Sequence, residues 1–73
     1  MTKNELIFEL EELLMLEKNE LNLETPLDDY EDWDSMGHLS LIALFDSKLK
    51  KKLELETIKN FKTVNDIIKY VNL

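Results

Sequence analysis

The chain has 73 residues, 44% of them hydrophobic and 34% charged, with nine basic residues against sixteen carboxylates and a formal net charge of −7. One Gly and one Pro argue against a turn-rich all-β fold, and the absence of Cys excludes a disulfide scaffold, a cysteine metal site and a thiolate nucleophile. The chain is too apolar for a disordered tail, and its length is near the lower limit for folding on an apolar core alone.

Residues 1–34 hold twelve of the sixteen carboxylates against only Lys3 and Lys18, so the first half is strongly acidic and the second mildly basic. Acidic surface repels phosphate backbones, which argues against a nucleic-acid partner and for a basic patch on another protein. No apolar run reaches the roughly 18 residues of a membrane span, and no leader-like segment opens the chain. The expectation is one soluble, cytoplasmic domain covering residues 1–73.

Thr2-Lys3-Asn4-Glu5 has the capping-box pattern that opens a helix. Leu6, Leu10, Leu13 and Leu14 then recur at helical spacing, with Ile7 beside them, while Glu9, Glu11 and Glu12 are expected to face away. The spacing predicts a helix from about residue 3 to residue 17. Residues 18–34 read as a long loop: Asn19, Asn22 and Asp28-Asp29 favour turns, and Thr25-Pro26 bars helix at Thr25. A loop of this length in so small a domain is often functional. Leu21, Leu23, Leu27 and Trp33 are expected to pin it to the core.

The next helix is expected from Ser35 to about Lys50, with Met36, Leu39, Ile42, Phe45 and Leu49 as its buried stripe and Leu41 and Ala43 off it. Lys48, Lys50, Lys51 and Lys52 suit the negative end of its dipole. Glu54 to Phe61 reads as a short helical turn with Ile58 and Phe61 inward. Thr63-Val64-Asn65-Asp66 reads as the start of a last helix to about Val71, buried through Val64, Ile67, Ile68 and Val71. The fold class is therefore all-α. It is a small bundle of three main helices plus one short helix, with a long loop between helices one and two.

The junction Asp32-Trp33-Asp34-Ser35-Met36-Gly37-His38 admits four chemical readings. Ser35 at a helix start can cap the helix or offer its hydroxyl to a partner, with the positive dipole end behind it. Ser35 and His38, three apart, share a helix face as a nucleophile and base would, but 73 residues leave little room for a substrate cleft. Asp32, Asp34 and Gly37 match the first, third and sixth positions of a calcium loop, while Met36 and Ala43 fail the fifth and twelfth. A generic interaction module needs only an exposed face, and it explains neither the loop nor the junction.

Asp34-Ser35-Met36, with Leu39, Ile42 and Phe45 behind it, resembles the D-S-L/M motif of acyl carrier proteins. The order and spacing of the helices, through Lys62-Thr63-Val64 and Ile68-Lys69-Tyr70-Val71, extend that resemblance over nearly the whole chain. The resemblance implies that Ser35, flanked by Asp34 and Met36, carries a phosphopantetheine arm added from coenzyme A by a phosphopantetheinyl transferase. It implies a thioester-bound acyl group presented to loading and transferring enzymes by a monomer that is itself no enzyme and holds no metal. An aminoacyl or peptidyl carrier shares the same arm and bundle. Cargo that tucks between the helices would meet Leu39, Ile42, Phe45, Ile58, Phe61 and Ile67. Fatty-acid carriers usually show acids on the exposed face of the second helix, where Gly37, His38 and Ser40 are expected here, with Lys48 further on. Trp33 also stands where small residues are usual. These departures point to a specialised stand-alone carrier, serving surface-polysaccharide, lipid-modifying or secondary-metabolite acyl transfer.

Overall fold

The structure is a computed structural model in which residues 1–72 are described. Its first helix opens on a complete capping box. Thr2 Oγ1 accepts from the Glu5 N–H at 3.2 Å, and Glu5 Oε1 accepts from the Thr2 N–H at 3.1 Å. The Thr2 backbone N–H, with the Thr2 side chain second, holds the Glu5 carboxyl below its ordinary range. Helix α1 runs Lys3–Leu13, four residues short of the expected end. It stops because Met15 adopts a left-handed backbone with φ 60°. Leu16 N–H then donates to the Glu11 carbonyl at 2.8 Å and Met15 N–H to the Glu12 carbonyl at 3.2 Å, the bond pair that closes a helix on a left-handed residue.

Leu6, Leu10 and Leu14 are buried as the periodicity requires. Glu11 departs from expectation, being 4% exposed. A buried carboxylate must find donors, and its Oε2 accepts the Leu21 N–H at 3.2 Å. Glu11 thereby fastens the following segment to α1 instead of facing solvent.

That segment, Leu14 to Asp34, contains a 3₁₀ turn at Leu27–Asp29. Leu27 N–H donates to the Lys62 carbonyl at 2.7 Å, and Asn65 N–H donates to the Leu23 carbonyl at 3.2 Å. Leu27 is fully buried, while Leu21, Leu23 and Trp33 pack on the core from its edge. The leucines and the tryptophan therefore anchor the segment as expected, and the start of the last helix supplies the backbone partners.

Helix α2 covers Ser35–Leu44 and passes directly into a π-helical turn, Phe45–Leu49, which Lys50 closes with φ 54°. Its buried face is the expected one only in part: Phe45 is buried and Ile42 and Leu49 pack against the core, but Met36 and Leu39 do not. Gly37, Leu41, Leu44 and Phe45 point inward, whereas Met36 is 73% and Leu39 57% exposed. A β-carbon at position 37 would fall on the Asp32 carbonyl oxygen, with Leu13 just beyond. Only glycine permits that approach, and it turns the Gly37–Leu41–Leu44 side toward the core.

Helix α3 is the short Leu55–Lys59, with Ile58 and the following Phe61 buried. Helix α4 covers Val64–Val71 and buries all four expected residues, Val64, Ile67, Ile68 and Val71. Asp66 Oδ2 accepts from the Lys62 N–H at 2.9 Å and the Thr63 N–H at 3.2 Å. Those donations, led by Lys62, hold its carboxyl below the usual carboxylate range. Among the described residues the architecture is thus three main helices plus one short helix, with an isolated Pro26–Thr63 bridge as its only β pairing. No described helix is long and apolar enough to cross a membrane.

Candidate functional site

Everything at the junction follows from how α2 begins. Asp34 holds an extended backbone, its Oδ1 accepts the Gly37 N–H at 3.0 Å, and its carbonyl accepts the His38 N–H at 2.8 Å. Asp34 is the cap, so Ser35 does not have to be. Ser35 becomes the first helical residue and lies exposed beside exposed Met36. With the Gly37 N–H committed to Asp34, the first-turn donors left are those of Ser35 and Met36. A free hydroxyl beside unpaired N–H groups suits a phosphate ester, whose charge the helix terminus favours.

The three residues of the motif are therefore adjacent in space, with distinct roles: Asp34 shapes the turn, Ser35 offers the hydroxyl, and Met36 shows apolar surface. The surface after them differs from expectation. Gly37 is buried and His38 is half-buried, so Ser40 alone of that trio lies fully on the exposed face. The outward stripe of α2 is instead Met36, Leu39 and Ala43. The cargo lining expected between the helices is split in the same way. Phe45, Ile58, Phe61 and Ile67 lie in the buried core, while Leu39 and Ile42 border a separate surface cleft with Asp46, Lys51, Lys52 and Leu53.

His38 turns away from solvent and meets Trp33 edge-on, with ring centroids 4.7 Å apart and planes at 74°. Both rings line an open cleft of about 530 Å³, whose other walls include Ile58, Phe61, Lys62 and Thr63. His38 Nε2 is itself buried, without a hydrogen-bond partner. It therefore makes no bond to Ser35, and the geometry of an activated serine nucleophile is missing at that atom. No cluster of three or more His, Asp or Glu side chains is placed to hold a metal ion among the described residues. The sequence pairs His38 with Ser35 and Trp33 with the core, and gives no sign of the cleft that the two rings share. Their positions either side of Ser35 were visible, but the inward turn of Gly37 that aims His38 was not.

Comparison with known proteins accords with this arrangement. The family model described as "Phosphopantetheine attachment site" matches residues 4–71. No curated protein matches the chain. Among solved structures, the chain is similar to the solution NMR structure of a holo acyl carrier protein from Geobacter metallireducens. The two share 26% identity at a TM-score of 0.73, over 93% of this chain and 78% of that one. The chain accordingly belongs to the phosphopantetheine attachment-site family, whose members are carriers that hold this group covalently and serve enzymes rather than act as enzymes themselves.

Proposed function

We propose that the chain is an acyl carrier protein, acting as one carrier domain, and that Ser35 is the residue to which its phosphopantetheine is attached. The observation that carries this reading is the exposure of Ser35 at the first position of α2 while Asp34 takes the capping bond. The residues fit the group. Ser35 offers an exposed hydroxyl, and the first-turn N–H groups of Ser35 and Met36 remain free for the charge of a phosphodiester. When bound, the group supplies the terminal thiol that a cysteine-free chain lacks, and an acyl chain is carried on it as a thioester.

In the attachment step, Ser35 Oγ bonds to the phosphorus nearest the pantetheine of coenzyme A. The pyrophosphate P–O bond breaks, adenosine 3′,5′-bisphosphate leaves, and the hydroxyl proton passes to a base of the transferase. Asp34 keeps the first turn formed during that approach. Met36 and Leu39 give the incoming enzyme an apolar footing on α2. The acyl reading, over an aminoacyl one, is supported by the similar solved structure being a holo acyl carrier protein. The partners are then a phosphopantetheinyl transferase and the enzymes that load and unload the thioester. A role in specialised surface-polysaccharide, lipid or secondary-metabolite acylation, in the cytoplasm, fits the non-acidic face of α2.

Intact mass after incubation with a promiscuous transferase and coenzyme A tests the assignment. One arm's mass gained by the wild type and absent from Ser35→Ala is the expected result. A wild-type mass that stays unchanged while a known carrier is modified in parallel would overturn it.

A further inference from the structure

We propose that the surface cleft bordered by Lys51 and Lys52 is a docking socket for an acidic protein surface, carried by an enzyme that loads or unloads the thioester. This rests on the carrier reading of the chain, and it inverts the sign usual in fatty-acid carriers, whose second helix shows acids.

The socket is built by the way α2 ends. Lys50 closes the π-helical turn Phe45–Leu49 with φ 54° and sends the chain back. The Lys51 N–H donates to the Phe45 carbonyl at 3.0 Å, and Leu53, 4% exposed, seats the returning segment in the core. Lys51 to Leu53 are thereby held against α2, where they share a cleft of about 310 Å³ with Leu39, Ile42 and Ala43. A left-handed lysine is an unfavourable backbone state. Such states and π-turns both recur at functional sites.

Apolar surface and charge in this cleft specify the partner. Leu39 is 57% exposed there, so an inserted apolar side chain removes its surface from water. Lys48, Lys50, Lys51 and Lys52 are all exposed at this end of α2, whereas among the described residues the cleft lining holds one acid, Asp46. An apolar knob flanked by carboxylates complements that pattern, and one flanked by lysine or arginine is repelled. Anionic lipid would also meet the four lysines. The net charge of −7 and exposed Glu54 and Glu56 oppose a uniformly anionic sheet, while a protein can set its carboxylates against the lysines alone. The acids ahead of Ser35 suit a basic enzyme and this cleft an acidic one, so two enzymes visiting one arm are distinguished by sign.

The probe is a stapled helical peptide with one leucine between glutamates, titrated into isotopically labelled protein whose intact mass shows full modification. The amides of Leu39, Ala43, Lys51 and Leu53 should shift together. Lys51→Glu with Lys52→Glu, both at exposed positions, should weaken binding about tenfold or more at low salt. Replacing the peptide's leucine by serine should weaken binding to the wild type as well. A peptide with lysines in place of the glutamates should prefer the double variant. Shifts lying elsewhere, or equal affinity of wild type and double variant, overturn the socket. Cosedimentation with phosphatidylglycerol–phosphatidylcholine vesicles, without peptide shifts at the cleft, also overturns it and assigns the lysines to a membrane. Loading of Ser35 should proceed equally in the wild type and the double variant. Absence of mass gain in both overturns the Ser35 assignment instead, and titration of the unmodified chain then decides the socket.

Discussion

Gly37 decides which side of α2 is buried, and its effect explains why the site was only half legible in the sequence. Asp34-Ser35-Met36 could be read because a cap, a hydroxyl and a helix start leave local marks. The register behind it could not, since α2 is apolar on two sides. Met36, Leu39, Ile42 and Phe45 satisfy helical spacing as well as Gly37, Leu41, Leu44 and Phe45 do. What separates them is a tertiary contact, the seat of Gly37 against the Asp32 carbonyl and Leu13. Replacing glycine by alanine inside a helix ordinarily stabilises by roughly 0.5–1 kcal/mol. Gly37→Ala should do the reverse and destabilise by about 1–3 kcal/mol, the usual range for overpacking. Urea unfolding reads it as a lower midpoint at unchanged slope, and a raised midpoint would refute the steric account. Asp34→Ala removes the cap and should cost about 1 kcal/mol. It should also slow loading of Ser35 by fraying the turn that displays it, which a time course of intact mass would reveal.

At the scale of elements, the starts of helices were more legible than their ends. Thr2 with Glu5, and Thr63 with Asp66, announce α1 and α4 through side chains that must lie near the backbone they bond. The end of α1 depends on Met15 at φ 60°, and methionine carries no left-handed preference for sequence to register. Asn72, at φ 61°, is the easier kind, since asparagine tolerates that region. Met15 is 78% exposed, so its side chain contributes little packing while its backbone is strained. Met15→Gly should therefore stabilise the fold by roughly 1 kcal/mol, measured as a raised melting temperature; a lowered one would show that Met15 packs more than its exposure implies. The start of α4 carries a pH dependence. Asp66 is held below the usual carboxylate range by the Lys62 and Thr63 N–H groups, so its folded value lies under its unfolded one. The contribution is then fully present above the unfolded value near ~4 and is lost as pH falls through the folded value. Amide exchange of Val64 to Asp66 should accelerate, relative to the intrinsic rate, as pH falls through that window. Asp66→Asn should flatten the dependence, and an identical profile in that variant would place the acid sensitivity elsewhere.

Across the whole molecule, charge and apolar surface are divided between neighbouring regions. The acidic half folds into α1 and the segment leading to Ser35, whereas the exposed stripe of α2 that follows Ser35 is Met36, Leu39 and Ala43. An approaching enzyme would thus be drawn by one region and seated on another. Long-range attraction governs how fast partners meet, and short-range apolar contact governs how long they stay. Asp29 and Glu31 isolate the first effect, because both are exposed and neither lines the cleft beside His38. Reversing both to lysine changes the net charge by four without touching the cap, the hydroxyl or the buried face. The hypothesis is that loading of Ser35 by a transferase with a basic docking surface slows several-fold in this variant at low ionic strength. The deficit should shrink as salt rises past ~0.15 M, where the Debye length falls to about 8 Å. Met36→Ser should behave oppositely, with a deficit that salt does not relieve, because it removes contact area rather than charge. Initial rates of mass gain across a salt series separate the two, and equal low-salt rates for the wild type and the Asp29→Lys, Glu31→Lys variant would show that the acids ahead of Ser35 do not guide the enzyme to it.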